Sequence, residues 1–191
     1  MKLALRNLLL LGVMAEVLIF VVAYFMNPEE LGEAFRISAR WSGRLSLGVF
    51  LAAFYQFARN HPTPLKENTA AREWILLFAV VHIIHFGFLA TNVFLNEIPL
   101  IPVKLAGGAL AYLMVVAAPF WLHKLSFRPQ LVYFYYVSLV MIITYVARVK
   151  GDFEGADPSF AHYVGMALMV SGVLVFSWWL YRKSAKDSEF T

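Results

Sequence analysis

The sequence contains no cysteine. That excludes disulfides, thiolate-held iron–sulfur clusters, thioether-linked c-type haem and thiol catalysis. Charge is scarce too: 15% of the 191 residues are Asp, Glu, Lys or Arg, against about a quarter in soluble domains. Low-complexity segments and internal repeats are missing, and 17 Phe, 9 Tyr and 5 Trp are incompatible with a disordered chain. What is abundant is apolar surface, with 61% hydrophobic residues. A globule of this length cannot bury so much and keep a polar skin. The formal charge of +4 is modest and arranged in blocks, which suits a bilayer rather than a nucleic acid. The composition therefore describes an all-α integral membrane protein with a single domain over 1–191.

A helix needs about 20 mostly apolar residues to cross the hydrocarbon layer. Six stretches meet this: roughly 8–26, 38–58, 74–95, 103–122, 130–149 and 160–181. Charge, proline or glycine separates them, as at Asn27-Pro28-Glu29-Glu30, His61-Pro62-Thr63-Pro64, Pro99 to Pro102, Arg128-Pro129 and Gly151 to Pro158. Short connections predict antiparallel neighbours in a compact six-helix bundle. The first stretch is longer than a signal-peptide core and lacks a small-residue cleavage site, so it is expected to be a retained helix. Residues 182–191 are expected to form a polar tail. No segment has room for a flavin or nicotinamide domain.

Positive charge sets the orientation. With the N-terminus inside, ten of the 16 basic residues fall on inner segments, from Lys2 and Arg6 to Lys183 and Lys186. Seven acids, including Glu29, Glu30 and Asp152, fall on outer ones. Both termini are expected in the cytoplasm, and the chain is expected to be a multi-pass protein of a bacterial inner membrane.

Ionisable residues inside a bilayer are few and face the bundle interior. His82 and His85 form a His-x-x-His within the third span. Residues three apart share a helix face, about 4.5 Å apart along the axis. A neutral imidazole ligates iron or zinc, so the pair is a candidate metal or cofactor site. Two histidines bonded to neighbouring helices are the structural alternative. A b-type haem held here needs a second axial ligand, which suggests two pairings: His82 with His123, or His85 with His162. Arg36, Arg40 and Arg44 recur every four residues at the outer end of the second span. This stripe suits haem propionates, an anionic lipid or an anionic substrate, or else snorkelling to headgroups. Arg44, the deepest, is the one expected to have a partner. Glu16 in the first span has no further carboxylates around it, so it reads as a bonded structural acid rather than a proton relay. Gly107-Gly108 permits a close helix or cofactor approach. Tyr133 to Tyr136 reads as an interfacial aromatic belt.

Several segments together resemble a family. These are Arg36-Ile-Ser-Ala-Arg-Trp-Ser42, Phe50-Leu-Ala-Ala-Phe54, Arg72 ahead of Leu77-Phe-Ala-Val-Val-His-Ile-Ile-His85, and Gly107-Gly-Ala-Leu-Ala-Tyr112. They are similar to the bacterial ferric-reductase-like transmembrane domain proteins, a superfamily that includes the haem-binding membrane subunit of the periplasmic methionine sulfoxide reductase system. The similarity is clearest over residues 36–115. It implies a six-helix bundle that binds haem b and moves electrons from quinol or another membrane donor to an outer redox partner. His82, His85, His123, His162, Arg40 and Arg44 are then the candidate cofactor residues, with His82 and His85 on the haem iron. The alternative is a subunit or scaffold with no catalysis and no cofactor, packed into a larger membrane complex.

Overall fold

The computed structural model describes residues 2–100, 102–151 and 158–188, with side chains described for 5–100, 106–151 and 158–183. Six α-helices and no strand occur among these residues: α1 (Lys2–Met26), α2 (Leu31–Arg59), α3 (Thr69–Leu95), α4 (Pro102–Trp121), α5 (Phe127–Lys150) and α6 (Phe160–Ser188), with a 3₁₀ turn at Leu122–Lys124 after α4. The protein is all-helical and multi-pass in character: α1, α3, α4, α5 and α6 are each long and apolar enough to cross a membrane. By that measure α2 falls short. It is the helix that carries Arg36, Arg40, Arg44, Ser38, Ser42 and Ser46; it packs against α1, α3 and α6, with the serines buried and the arginines half-buried. Several helices outrun the apolar stretches that announce them. α2 starts at Leu31 and α3 at Thr69, because the first turns are polar and need no hydrocarbon around them. Most of the expected tail continues α6 as far as Ser188; residues 189–191 and the 152–157 connector lie outside the described residues.

The helix ends are closed by residues suited to the task. Asn68 caps α3, its side-chain oxygen accepting from the Ala71 N–H at 3.0 Å, while its amide donates to the Gln56 carbonyl of α2. Gly151 ends α5 at φ 75°, a left-handed conformation that favours glycine. Gln130 donates to the carbonyls of Leu122 and Leu125, covering the 3₁₀ turn. Lys183 donates to the Arg59 carbonyl and ties α6 to the end of α2.

The chain runs up and down, so one end of the bundle (the near end) holds the start of α1 and the close of α6. The core at this end is aromatic. Phe54 stacks on Phe134 with centroids 4.8 Å apart, Phe57 on Phe134 at 4.6 Å, and Phe176 meets Phe54 edge-on at 5.2 Å. These rings join α2, α5 and α6. Lipid gives apolar side chains no reason to leave it, so helix association rests on packing of this kind rather than on transfer out of water. At the far end Phe20, Phe35 and Phe88 join α1, α2 and α3.

Gly107 and Gly108 make no close approach within the described chain. A Cβ on Gly108 would meet nothing within 4 Å, and one on Gly107 would touch only the Tyr136 hydroxyl at 3.9 Å. Close approaches lie instead at Gly12, Gly32, Gly172 and, tightest, Gly165 of α6, against the Tyr145 ring of α5. Gly165→Leu is therefore expected to lower stability by about 1–3 kcal/mol through overpacking. Gly108→Ala should leave it unchanged or raise it, in thermal unfolding of the detergent-solubilised protein.

Candidate functional site

Serine spacing explains the interior of the α2 interface. Ser38, Ser42 and Ser46 are four residues apart, share one face of α2 and are fully buried. A buried hydroxyl in a low-dielectric bundle is tolerated when bonded, and each is. Ser38 donates back to the Ala34 carbonyl at 2.8 Å. Ser42 donates to Glu16 Oε1 on α1 at 2.8 Å. Ser46 Oγ is hydrogen bonded to His82 Nδ1 on α3 at 2.7 Å. Three consecutive turns of one helix thus serve, in order, its own backbone, α1 and α3.

His82 and His85 lie together as their spacing requires, with ring centroids 5.6 Å apart. Tyr112 of α4 stacks on His82 at 4.5 Å and Phe78 lies 4.9 Å away. His85 faces α2 where Gly43 leaves space: a Cβ there would come within 3.1 Å of the imidazole. His85 Nδ1 is buried and has no hydrogen-bond partner among the described residues. Arg148 of α5 is within electrostatic reach of His85 and of Tyr112. The site therefore draws on α2, α3, α4 and α5.

The other two histidines stand apart from this pair. His123 sits at the near end in a small crevice lined by Leu65, Arg72, Ile75, Ala118 and Pro119. His162, 5% exposed, lies at the far end, where Ser159 N–H donates to its Nδ1 at 3.2 Å. Neither makes a ring contact with His82 or His85 among the described residues, and no group of three His, Cys, Asp or Glu there is placed to hold a metal ion. The arginine stripe also divides differently from its sequence reading. Arg36 has partners, lying 2.7 Å from Glu33 and donating to Asn96 Oδ1 at 3.1 Å. Arg44 makes no hydrogen bond or ion pair among the described residues; with Arg40 and His162 it lines a cleft. The reason is helical geometry: each four-residue step rotates by roughly 40°, so Arg44 points about 80° from Arg36. Glu16 is bonded through Oε1, and its buried Oε2 has no hydrogen-bond partner among the described residues.

The residues missed in the sequence are Gly43, Ser42, Ser46, Tyr112 and Arg148. Of these, the serines had a signal, the four-residue period inside an apolar span; the others are brought in by tertiary packing. Comparison with protein-family models, curated proteins and solved structures returns no match.

Ser42→Ala leaves the Glu16 carboxyl with neither oxygen bonded and is expected to cost about 1–3 kcal/mol. Ser42→Ala combined with Glu16→Leu should recover most of that loss, because removing both partners leaves no orphaned group. Thermal unfolding of the two variants in one detergent checks the difference.

Proposed function

We propose that this chain is a haem-b-binding integral membrane protein that relays electrons across the bilayer, with His82 of the His82–His85 pair ligating the iron; the two rings share one helix face with centroids 5.6 Å apart, so they do not both bind one haem iron. The observation that carries the reading is the Ser46 bond to His82 Nδ1 beside the unpartnered His85. Ligating histidines are characteristically held through their second ring nitrogen by a hydrogen-bond partner that fixes tautomer and orientation. With Nδ1–H donating to Ser46, His82 keeps its Nε2 lone pair for a metal. An imidazole whose second nitrogen is held in this way is a donor suited to a haem iron, and the similarity over residues 36–115 points the same way; His123 and His162, at opposite ends of the bundle, do not complete the expected pairings.

Bound haem supplies one-electron chemistry at a potential tuned by its ligands and by burial. The chain's own part is positional. Ser46 orients His82, Tyr112 supports its ring face, Gly43 admits the ring of His85, and the apolar walls of α2, α3 and α4 hold water away. The electron donor is quinol or another membrane carrier and the acceptor an outer redox partner. On this reading both termini lie in the cytoplasm of a bacterium and the far end of the bundle faces outward across the inner membrane, as the distribution of basic residues suggests.

A second reading is a cofactor-free subunit of a larger membrane complex. It is favoured by the same packing seen differently: His82 already has a hydroxyl and a tyrosine ring as neighbours, as a purely structural histidine would.

A visible spectrum of protein purified from haem-sufficient cells separates the two. The haem reading expects a Soret band and, on reduction, b-type α and β bands, abolished by His82→Ala. Ser46→Ala should lower haem affinity by about 10- to 100-fold. A colourless preparation, with His82→Ala less stable than the parent through loss of the Ser46 bond, leaves the scaffold reading.

A further inference from the structure

Glu16 stands in the middle of α1, the least covered of the five long apolar helices, yet its side chain is only 1% exposed. It turns inward at the contact with α2, where the Ser42 hydroxyl donates to Oε1 at 2.8 Å and nothing described donates to Oε2. The turns on either side are closed by apolar groups. One turn before, Gly12 lies against Leu77 and Val81 of α3. One turn after, the Phe20 ring lies 5.0 Å from Phe35 of α2 and 6.0 Å from Phe88 of α3. Charged and titratable neighbours are turned elsewhere. Arg40 and Arg44 each sit two residues from Ser42 along α2, about 160° round the helix from it. On α3, His85 faces Gly43 and His82 is bonded to Ser46. On α1 itself the nearest charge in sequence is Arg6, about 15 Å along the axis. No ion pair reaches Glu16 among the described residues. An unpaired carboxylate in a low-dielectric interior costs far more than a neutral acid. In the acid the carbonyl oxygen takes the Ser42 bond, and only an O–H is left without a partner.

We propose that Glu16 is a proton-binding site: a carboxylic acid with its carbonyl at Oε1 and its O–H at Oε2, whose proton keeps α1 docked against α2. Losing that proton puts charge on an oxygen with no donor. The helix that then yields is α1, because its opposite face, with Met14, Val17 and Leu18, is exposed to the surroundings. No group of further acids adjoins it among the described residues, so the proton is bound here rather than passed along a chain of carboxyls. Glu16 makes no hydrogen bond to His82 or His85 among the described residues, and the site stands whether or not haem is held there.

Infrared spectroscopy of the full chain in detergent, followed through a pH titration, tests this. A carboxylic-acid C=O band is expected at neutral pH. It should shift when the protein is made with glutamate isotopically labelled at its carboxyl carbon, and move to higher frequency in Ser42→Ala as the carbonyl loses its donor. Glu16→Gln should lack it. As the pH rises through the range in which the band disappears, the parent should lose thermal stability, because the docked helix must then hold a charge without a donor. Glu16→Gln, whose amide carbonyl still accepts from Ser42 and which cannot ionise, should keep its stability over that range. Isotope labelling needs no variant, so it decides the protonation state if Glu16→Gln does not fold. Overturning results are no acid C=O band at neutral pH, a band that the labelled glutamate leaves in place, a band that persists in Glu16→Gln, or parallel loss of stability in the parent and Glu16→Gln.

Discussion

Polar groups in a hydrocarbon layer must find their partners inside the protein, because no water is there to take them. In this chain that constraint falls mainly on α2. It carries three serines at four-residue intervals and three arginines at the same interval, more polarity than a lipid-facing helix bears. The bundle is arranged to meet those demands. Ser42 fixes α1 through Glu16, Ser46 fixes α3 through His82, and Arg36 with Asn96 closes the far end between α2 and α3. Because each bond is directional, α1 and α3 have little freedom to rotate or slide against α2.

The near end is held by different means. There α2 is aromatic, and Phe50, Phe54 and Phe57 meet Phe78, Phe134 and Phe176. Individual dispersion contacts are small, but rings make many of them at once. One helix thus has a polar half that specifies which neighbours it takes and an aromatic half that packs them tightly. The histidine pair sits close to the changeover, with Phe78 on one side of His82 and Ser46 on the other. That position gives an imidazole both an apolar, water-poor setting and an orienting partner, the two conditions a histidine-held cofactor requires.

Much of this was legible along the chain. Helix positions follow from run length, and the six helix cores agree with them, though only five are apolar enough to cross a membrane; the extra turns of α2, α3 and α6 were invisible to hydropathy because they lie beyond the apolar segments. His82 and His85 share a face as an i, i+3 pair must. Their partners were not legible, since Ser46, Gly43 and Tyr112 come from two other helices whose rotation depends on packing. Gly107-Gly108 shows the same limit from the other side. A small-residue pair permits close contact, but whether a neighbour arrives is settled elsewhere, and here the tight contact forms at Gly165.

The missing cysteines, the scarce charge and the long apolar runs determined by themselves an all-helical chain of membrane character, with histidine and methionine in place of any thiolate donor. They did so because hydrophobic length and residue chemistry are properties of the chain alone. Which histidine is oriented by a hydroxyl, which carboxyl that hydroxyl's neighbour bonds and which glycine meets a ring were decided only by tertiary structure. Each depends on the rotation of one helix against another, and that rotation is set by the sum of contacts around α2 rather than by any local run of residues.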